Sequence, residues 1–147
     1  MTGVQTCALP IFIASNYASF AWSYINRGLV PDGGGLYFLP RRVGLPRAKE
    51  LIFSGRRVDA EEALKLGIAD RLTSADNLLA DARAWARQLS VGSATALALG
   101  KTILDQSFEL SAEQVFGQGA QAQGICYTSS EHRESVMAFL DKTAKPK

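Results

Sequence analysis

The chain has 147 residues, 47% hydrophobic and 20% charged, with 16 basic and 14 acidic residues and a formal net charge of +2. That is enough chain for one domain with a real core. The charge is too small and too mixed to make nucleic acid or a membrane surface the default partner. The single histidine, His132, excludes any site that needs two, and Cys7 and Cys126 lack the spacing of a zinc site or a disulfide framework, which fits a reducing cytoplasm.

Residues 1–11 carry no basic lead and no clean period, so they read as a foreign or disordered segment, or as a frayed native terminus. No apolar run approaches the ~20 residues of a membrane span. Ile11 to Ala14 predicts a short buried strand and Phe20 to Trp22 a second extended piece. Gly28 to Gly35 reads as loop from its glycines and Pro31. Gly34 to Val43 predicts a helix interrupted by Pro40 and closed by Gly44. Pro46 opens a second helix, Arg47 to Phe53, which stops at Gly55.

Asp59 predicts the cap of a third helix, with Glu62 as its capping-box partner and Gly67 as its end. Ile68 to Leu72 is a brief strand or link. Leu78, Leu79, Ala82, Trp85, Ala86 and Leu89 fall on one face of an amphipathic helix over 77–89. Thr95 to Phe108 is more apolar and is expected to be more buried. Ser111 with Gln114 opens a long helix to about Tyr127. Ser129 or Ser130 caps the last helix, which runs to Lys142. One or two strands cannot make an independent sheet, so this one reads as the remnant of a larger sheet with further strands upstream.

Asp32 stands directly before three glycines, Gly33, Gly34 and Gly35. A carboxylate in such a turn serves either as a helix cap or as a base. The glycines lack the GxxxxGK[ST] pattern of a phosphate loop; they either let backbone pass close to a ligand or make a tight turn. Trp22 and Tyr24 read as pocket lining or as core aromatics. Arg41, Arg42, Arg56 and Arg57 read as solvated or structural, His132 as exposed and Cys126 as a buried small apolar residue.

Phe20, then Gly28-Leu29-Val30-Pro31-Asp32-Gly33-Gly34-Gly35, Leu39-Pro40-Arg41, Val43-Gly44, Ala48 and Glu50-Leu51 together resemble the crotonase (enoyl-CoA hydratase/isomerase) superfamily. Ser54-Gly55-Arg56, Ala60-Glu61-Glu62-Ala63 and Gly67-Ile68-Ala69 are similar to its next signature. Glu131-His132-Arg133-Glu134-Ser135 and Ala138-Phe139-Leu140-Asp141-Lys142 resemble its terminal helix. The resemblance covers the C-terminal half of that family's domain. It is nearest to the 2-(epoxyphenyl)acetyl-CoA isomerase and dienoyl-CoA isomerase branches.

The resemblance implies an α/β crotonase (ClpP-like) spiral fold, here mostly α with part of the sheet. Residues 12–72 would be the later part of the core, and 73–147 a helical region for oligomerisation and acyl-CoA cover. It also implies enolate chemistry on an acyl-CoA substrate, with coenzyme A arriving on the substrate and no resident cofactor, in a homotrimer or hexamer. The two amides of the oxyanion hole and one hydratase glutamate would lie in the half that the chain does not match. The second hydratase glutamate falls on Tyr24. A phenol, ionising near pH ~10, does not replace a carboxylate base, so isomerisation is favoured over hydration.

Asp32 falls where some branches carry a catalytic aspartate. Facing an apolar acyl pocket, a carboxylate is disfavoured in its charged form, which suits a general base. Trp22, Tyr24, Pro31, Gly33 and Gly34 would meet the acyl group. Phe139 and Lys142 would meet the coenzyme A nucleotide, unless Lys142 only complements its helix C-terminus.

Overall fold

The computed structural model describes residues 11–143, with the side chains of Lys142 and Thr143 left out, so the reading of residues 1–10 lies outside the described residues. Two compact units divide the chain, Met1–Ala84 and Trp85–Lys147.

In the first unit, β1 (Ile13–Ser15) pairs in parallel with β4 (Arg71–Thr73), Ile13 opposite Arg71. The antiparallel pair joins β2 (Ser19–Ala21) and β3 (Arg57–Asp59), Phe20 opposite Val58. A five-residue 3₁₀ turn, Ser23–Arg27, follows β2. Then come α1 (Gly35–Val43), α2 (Leu45–Ser54) and α3 (Ala60–Lys65). Leu39, Leu51, Val58 and Ile68 are sealed from solvent, and Ala14, Trp22, Ala48, Ile52, Ala63 and Ala69 complete the cluster. The rings of Phe12 and Phe20 meet edge to face at 5.9 Å beside it.

The helix over 35–43 runs through Pro40 without interruption. Pro40 removes one backbone donor, but its neighbour Leu39 is fully buried, and that burial holds the turn together. Asp59 caps α3 as expected, its side chain accepting from the Glu62 N–H at 2.8 Å. Glu62 does not complete a capping box: its carboxylate turns to Arg56 instead. Arg56 forks two carboxylates, donating to Glu50 at 2.6 and 3.1 Å and to Glu62 at 2.6 and 2.8 Å. Charge-assisted forks are stronger than a single bond to a backbone amide. The hydrogen bonds that Arg56 donates hold both carboxyls below their ordinary range, and the same bonds, to Glu62 first and Glu50 second, raise the guanidinium.

Arg42 is structural too. It donates to the carbonyls of Gly67 and Ile68 at 2.6 and 3.1 Å and pairs with Asp70 at 2.6 Å. Asp70 in turn accepts from the Phe12 N–H, which ties the residue before β4 to the residue before β1.

Helix α4 (Leu78–Leu89) crosses the boundary between the units. The second unit then contains α5 (Ala94–Gln106), α6 (Ala112–Thr128) and α7 (Ser130–Thr143), with α5 against α6 and α6 against α7. The Ser111/Gln114 capping box is complete in both directions. Ser129, not Ser130, caps α7, its hydroxyl accepting from the His132 N–H at 3.1 Å. Helix α5 is not buried as its apolar content predicted: Leu97 and Leu104 are exposed, and no described residue after Ala84 is fully buried. Three helices packed in series cover only part of one another's apolar faces. His132 is half-buried rather than exposed because its ring meets Tyr127 at 5.0 Å, and Cys126 is half-buried rather than buried.

Candidate functional site

The turn from Trp22 to Gly35 is assembled by packing from beneath. Trp22, only 8% exposed, precedes the 3₁₀ turn, which closes at Gly28 in a left-handed conformation (φ 68°). The Gly28 and Leu29 N–H groups return to the carbonyls of Ile25 and Tyr24 at 3.0 and 3.1 Å. Pro31 is buried, and Gly35 lies so close beneath it that an added Cβ would sit 3.0 Å from the Pro31 Cβ and 3.7 Å from the Trp22 ring. Indole, proline and glycine thus fix the base of the loop that carries Asp32.

Asp32 is exposed, and the Tyr24 hydroxyl donates to its Oδ1 at 2.8 Å. Of its two sequence readings, the helix cap is not realised. Gly34 holds the cap position of α1 at φ 89°, with no side-chain cap bond, and Asp32 contributes only its carbonyl, which accepts from Gly35 N–H at 3.0 Å. Two consecutive left-handed residues, Gly33 and Gly34, turn the chain into the helix and carry the Asp32 side chain away from the orphan amides. Among the described residues no apolar wall encloses Asp32, which is exposed.

Trp22, Tyr24, Pro31, Asp32, Gly33 and Gly34 are therefore brought together in one turn. Trp22 and Pro31 are the floor and Tyr24, half-buried, is the wall. Phe139 is 66% exposed on α7 of the second unit, and the side chain of Lys142 lies outside the described residues. The loop composition points to the turn, but nothing in the sequence points to the hydrogen bond that joins Tyr24 to Asp32.

The second unit has a cleft of its own, lined among others by Ser93, Cys126, Glu131 and His132. Glu131 caps α5 there, accepting from the Ser93 hydroxyl and from Thr95 N–H, and the Ser93 bond holds its carboxyl below the ordinary range. Among the described residues no cluster of three or more metal-ligating side chains occurs, and no helix is long and apolar enough to cross a membrane.

Short strands alternating with helices around one core, followed by a purely helical run, define the chain as part of an α/β spiral fold. It belongs to the enoyl-CoA hydratase/isomerase family, whose sequence model matches residues 5–146. Over 141 residues it is 40% identical to the carnitinyl-CoA dehydratase of Proteus mirabilis, covering 92% of this chain and 53% of that one. Over 134 residues it is 33% identical to a probable enoyl-CoA hydratase of Mycobacterium tuberculosis, covering 91% and 52%. A crystal structure of an enoyl-CoA hydratase/isomerase from Cupriavidus metallidurans CH34 matches with a TM-score of 0.88 at 41% identity, covering 93% of this chain and 52% of that one. The fold is thus that of the crotonase superfamily. The chain spans about half the length of the curated relatives it matches.

Proposed function

We propose that these residues supply the proton-transferring part of an enzyme that acts on acyl-CoA thioesters through an enolate, by isomerisation rather than hydration. The supporting observation is the single carboxylate of Asp32, held at 2.8 Å by the Tyr24 hydroxyl on a glycine turn. Asp32 takes a proton from a carbon activated by the thioester and returns it to the far end of the allylic system. One carboxylate suffices for both transfers. Hydration must also activate a water, the work of a second carboxylate, and the position the family resemblance assigns to it holds Tyr24.

In this reading the Gly33–Gly34 backbone admits the acyl chain beside Tyr24, while Trp22 and Pro31 support the turn. Phe139 and Lys142 meet the coenzyme A nucleotide. Coenzyme A is part of the substrate, and no resident cofactor is needed. The amides that stabilise the enolate oxygen belong to the half of the family fold that these residues do not match, so the 147-residue chain is inactive alone. The active form is a cytoplasmic homotrimer or hexamer.

The test joins this chain behind the N-terminal half of the Cupriavidus metallidurans relative and assays crotonyl-CoA beside a β,γ-enoyl-CoA. Isomerisation exceeding hydration is expected from the hybrid. Hydration without isomerisation refutes the assignment, and turnover by the 147-residue chain alone refutes the claim of inactivity.

A second reading, a non-catalytic oligomerisation piece, is favoured by one observation: Phe108, Phe116 and Phe139 are each about two-thirds or more exposed in the helical unit. Self-association without any acyl-CoA binding is its signature.

A further inference from the structure

We propose that Tyr24 is a positioning residue whose hydroxyl locks the Asp32 carboxylate into one orientation, leaving Oδ2 as the atom that exchanges protons; this rests on the reading of Asp32 as the base. An exposed aspartate otherwise samples several staggered side-chain states. Among the described residues, Tyr24 is the only group that bonds the Asp32 carboxylate, and it does so at Oδ1 alone.

The donor itself is held firmly. Gly28 closes the 3₁₀ turn by N–H bonds to the Ile25 and Tyr24 carbonyls, and Leu29 N–H adds a second bond to Tyr24. From below, Gly55 at the end of α2 approaches so closely that an added Cβ would meet the Ile25 Cγ2 at 2.9 Å. The acceptor is held by the buried Pro31 on one side and the left-handed Gly33 on the other. Two elements fixed separately thus meet through one hydrogen bond to a charged acceptor, a class roughly twice as strong as neutral pairs. A phenol donates one proton, so it occupies one carboxylate oxygen and leaves the other available. A glutamate in its place would set two carboxylates against each other. A tyrosine orients the carboxylate and adds no second carboxylate beside it.

The experiment uses the 147-residue chain labelled with ¹³C at its aspartates and tyrosines, observed by NMR at neutral pH. In the native chain the Asp32 Hα–Hβ couplings should report a single χ1 state. In Tyr24→Phe, which removes one oxygen and keeps the ring, they should average over several states and the Asp32 Cγ resonance should move. In Asp32→Asn the Tyr24 Cζ resonance should move while those of Tyr17, Tyr37 and Tyr127 stay. Unchanged Asp32 couplings and Cγ resonance in Tyr24→Phe overturn the proposal. An unchanged Tyr24 Cζ resonance in Asp32→Asn overturns it independently, should the first variant lose its fold. Neither readout involves turnover, so a failure of Asp32 as the base, read from turnover of the hybrid enzyme carrying Asp32→Asn, is seen separately.

Discussion

Replacing Gly35 by alanine tests how tightly the floor of the Asp32 turn is packed. The new methyl would lie 3.0 Å from the Pro31 Cβ and in ordinary contact with the Trp22 ring at 3.7 Å. Pro31 must therefore yield by a few tenths of an ångström, and Asp32 moves with it. Overpacking of this kind costs about 1–3 kcal/mol. Alanine recovers up to about 1 kcal/mol in helix propensity, less in a first turn. The net expectation is about 0.5–2 kcal/mol of destabilisation, or a fall in Tm of about 2–6 °C for a chain of this size. Thermal unfolding by circular dichroism, with urea unfolding followed by tryptophan fluorescence, measures it. Gly100→Ala is the matched control: nothing lies within 4 Å of the added methyl inside α5, so it should stabilise by about 0.5–1 kcal/mol. Gly35→Ala as stable as the native chain, or Gly100→Ala less stable, would refute the reasoning.

Asp59→Ala removes the cap acceptor of α3 and should cost about 0.5–2 kcal/mol in urea unfolding. Arg56 holds the Glu50 and Glu62 carboxyls below their ordinary value of 4.5 in the folded state. Their contribution is therefore fully present above that pH and is lost as pH falls through the lowered values. Arg56→Lys, which cannot fork two carboxylates, should flatten this acid dependence of the urea midpoint; an unchanged profile counts against the network. In the hybrid enzyme, Tyr24→Phe should lower kcat about 10- to 100-fold while leaving KM near its native value, as expected when a reacting group is misplaced and substrate affinity is kept. A raised KM with native kcat would mark Tyr24 as a binding residue only.

The parts legible in the sequence are those fixed by neighbours along the chain. Asp59 and the Ser111/Gln114 pair cap helices within three residues of themselves, and the glycines from Gly28 to Gly35 announce a turn wherever the fold places it. The parts not legible depend on distant partners. The strand Arg57–Asp59 has one apolar residue, Val58, and becomes a strand only through pairing with Ser19–Ala21. The 3₁₀ turn over 23–27 is too short to show a period. Glu62 has the spacing of a capping-box residue, and the competing guanidinium of Arg56 reaches it only once β3 folds between them. Helical periodicity likewise marks Thr95 to Phe108 as apolar without saying what covers it. In the site, the glycine turn and the acid are legible, but the Tyr24–Asp32 bond is not: the two residues stand eight apart in sequence, across a short turn and a loop that impose no fixed distance.

The measurement closest to the central claim is turnover of a β,γ-enoyl-CoA by the hybrid enzyme carrying Asp32→Asn. The account predicts a loss of about 10²- to 10⁴-fold, the range of a general base, with the circular dichroism spectrum and thermal unfolding of the unsubstituted hybrid retained. Isomerisation at the rate of the unsubstituted hybrid would contradict it.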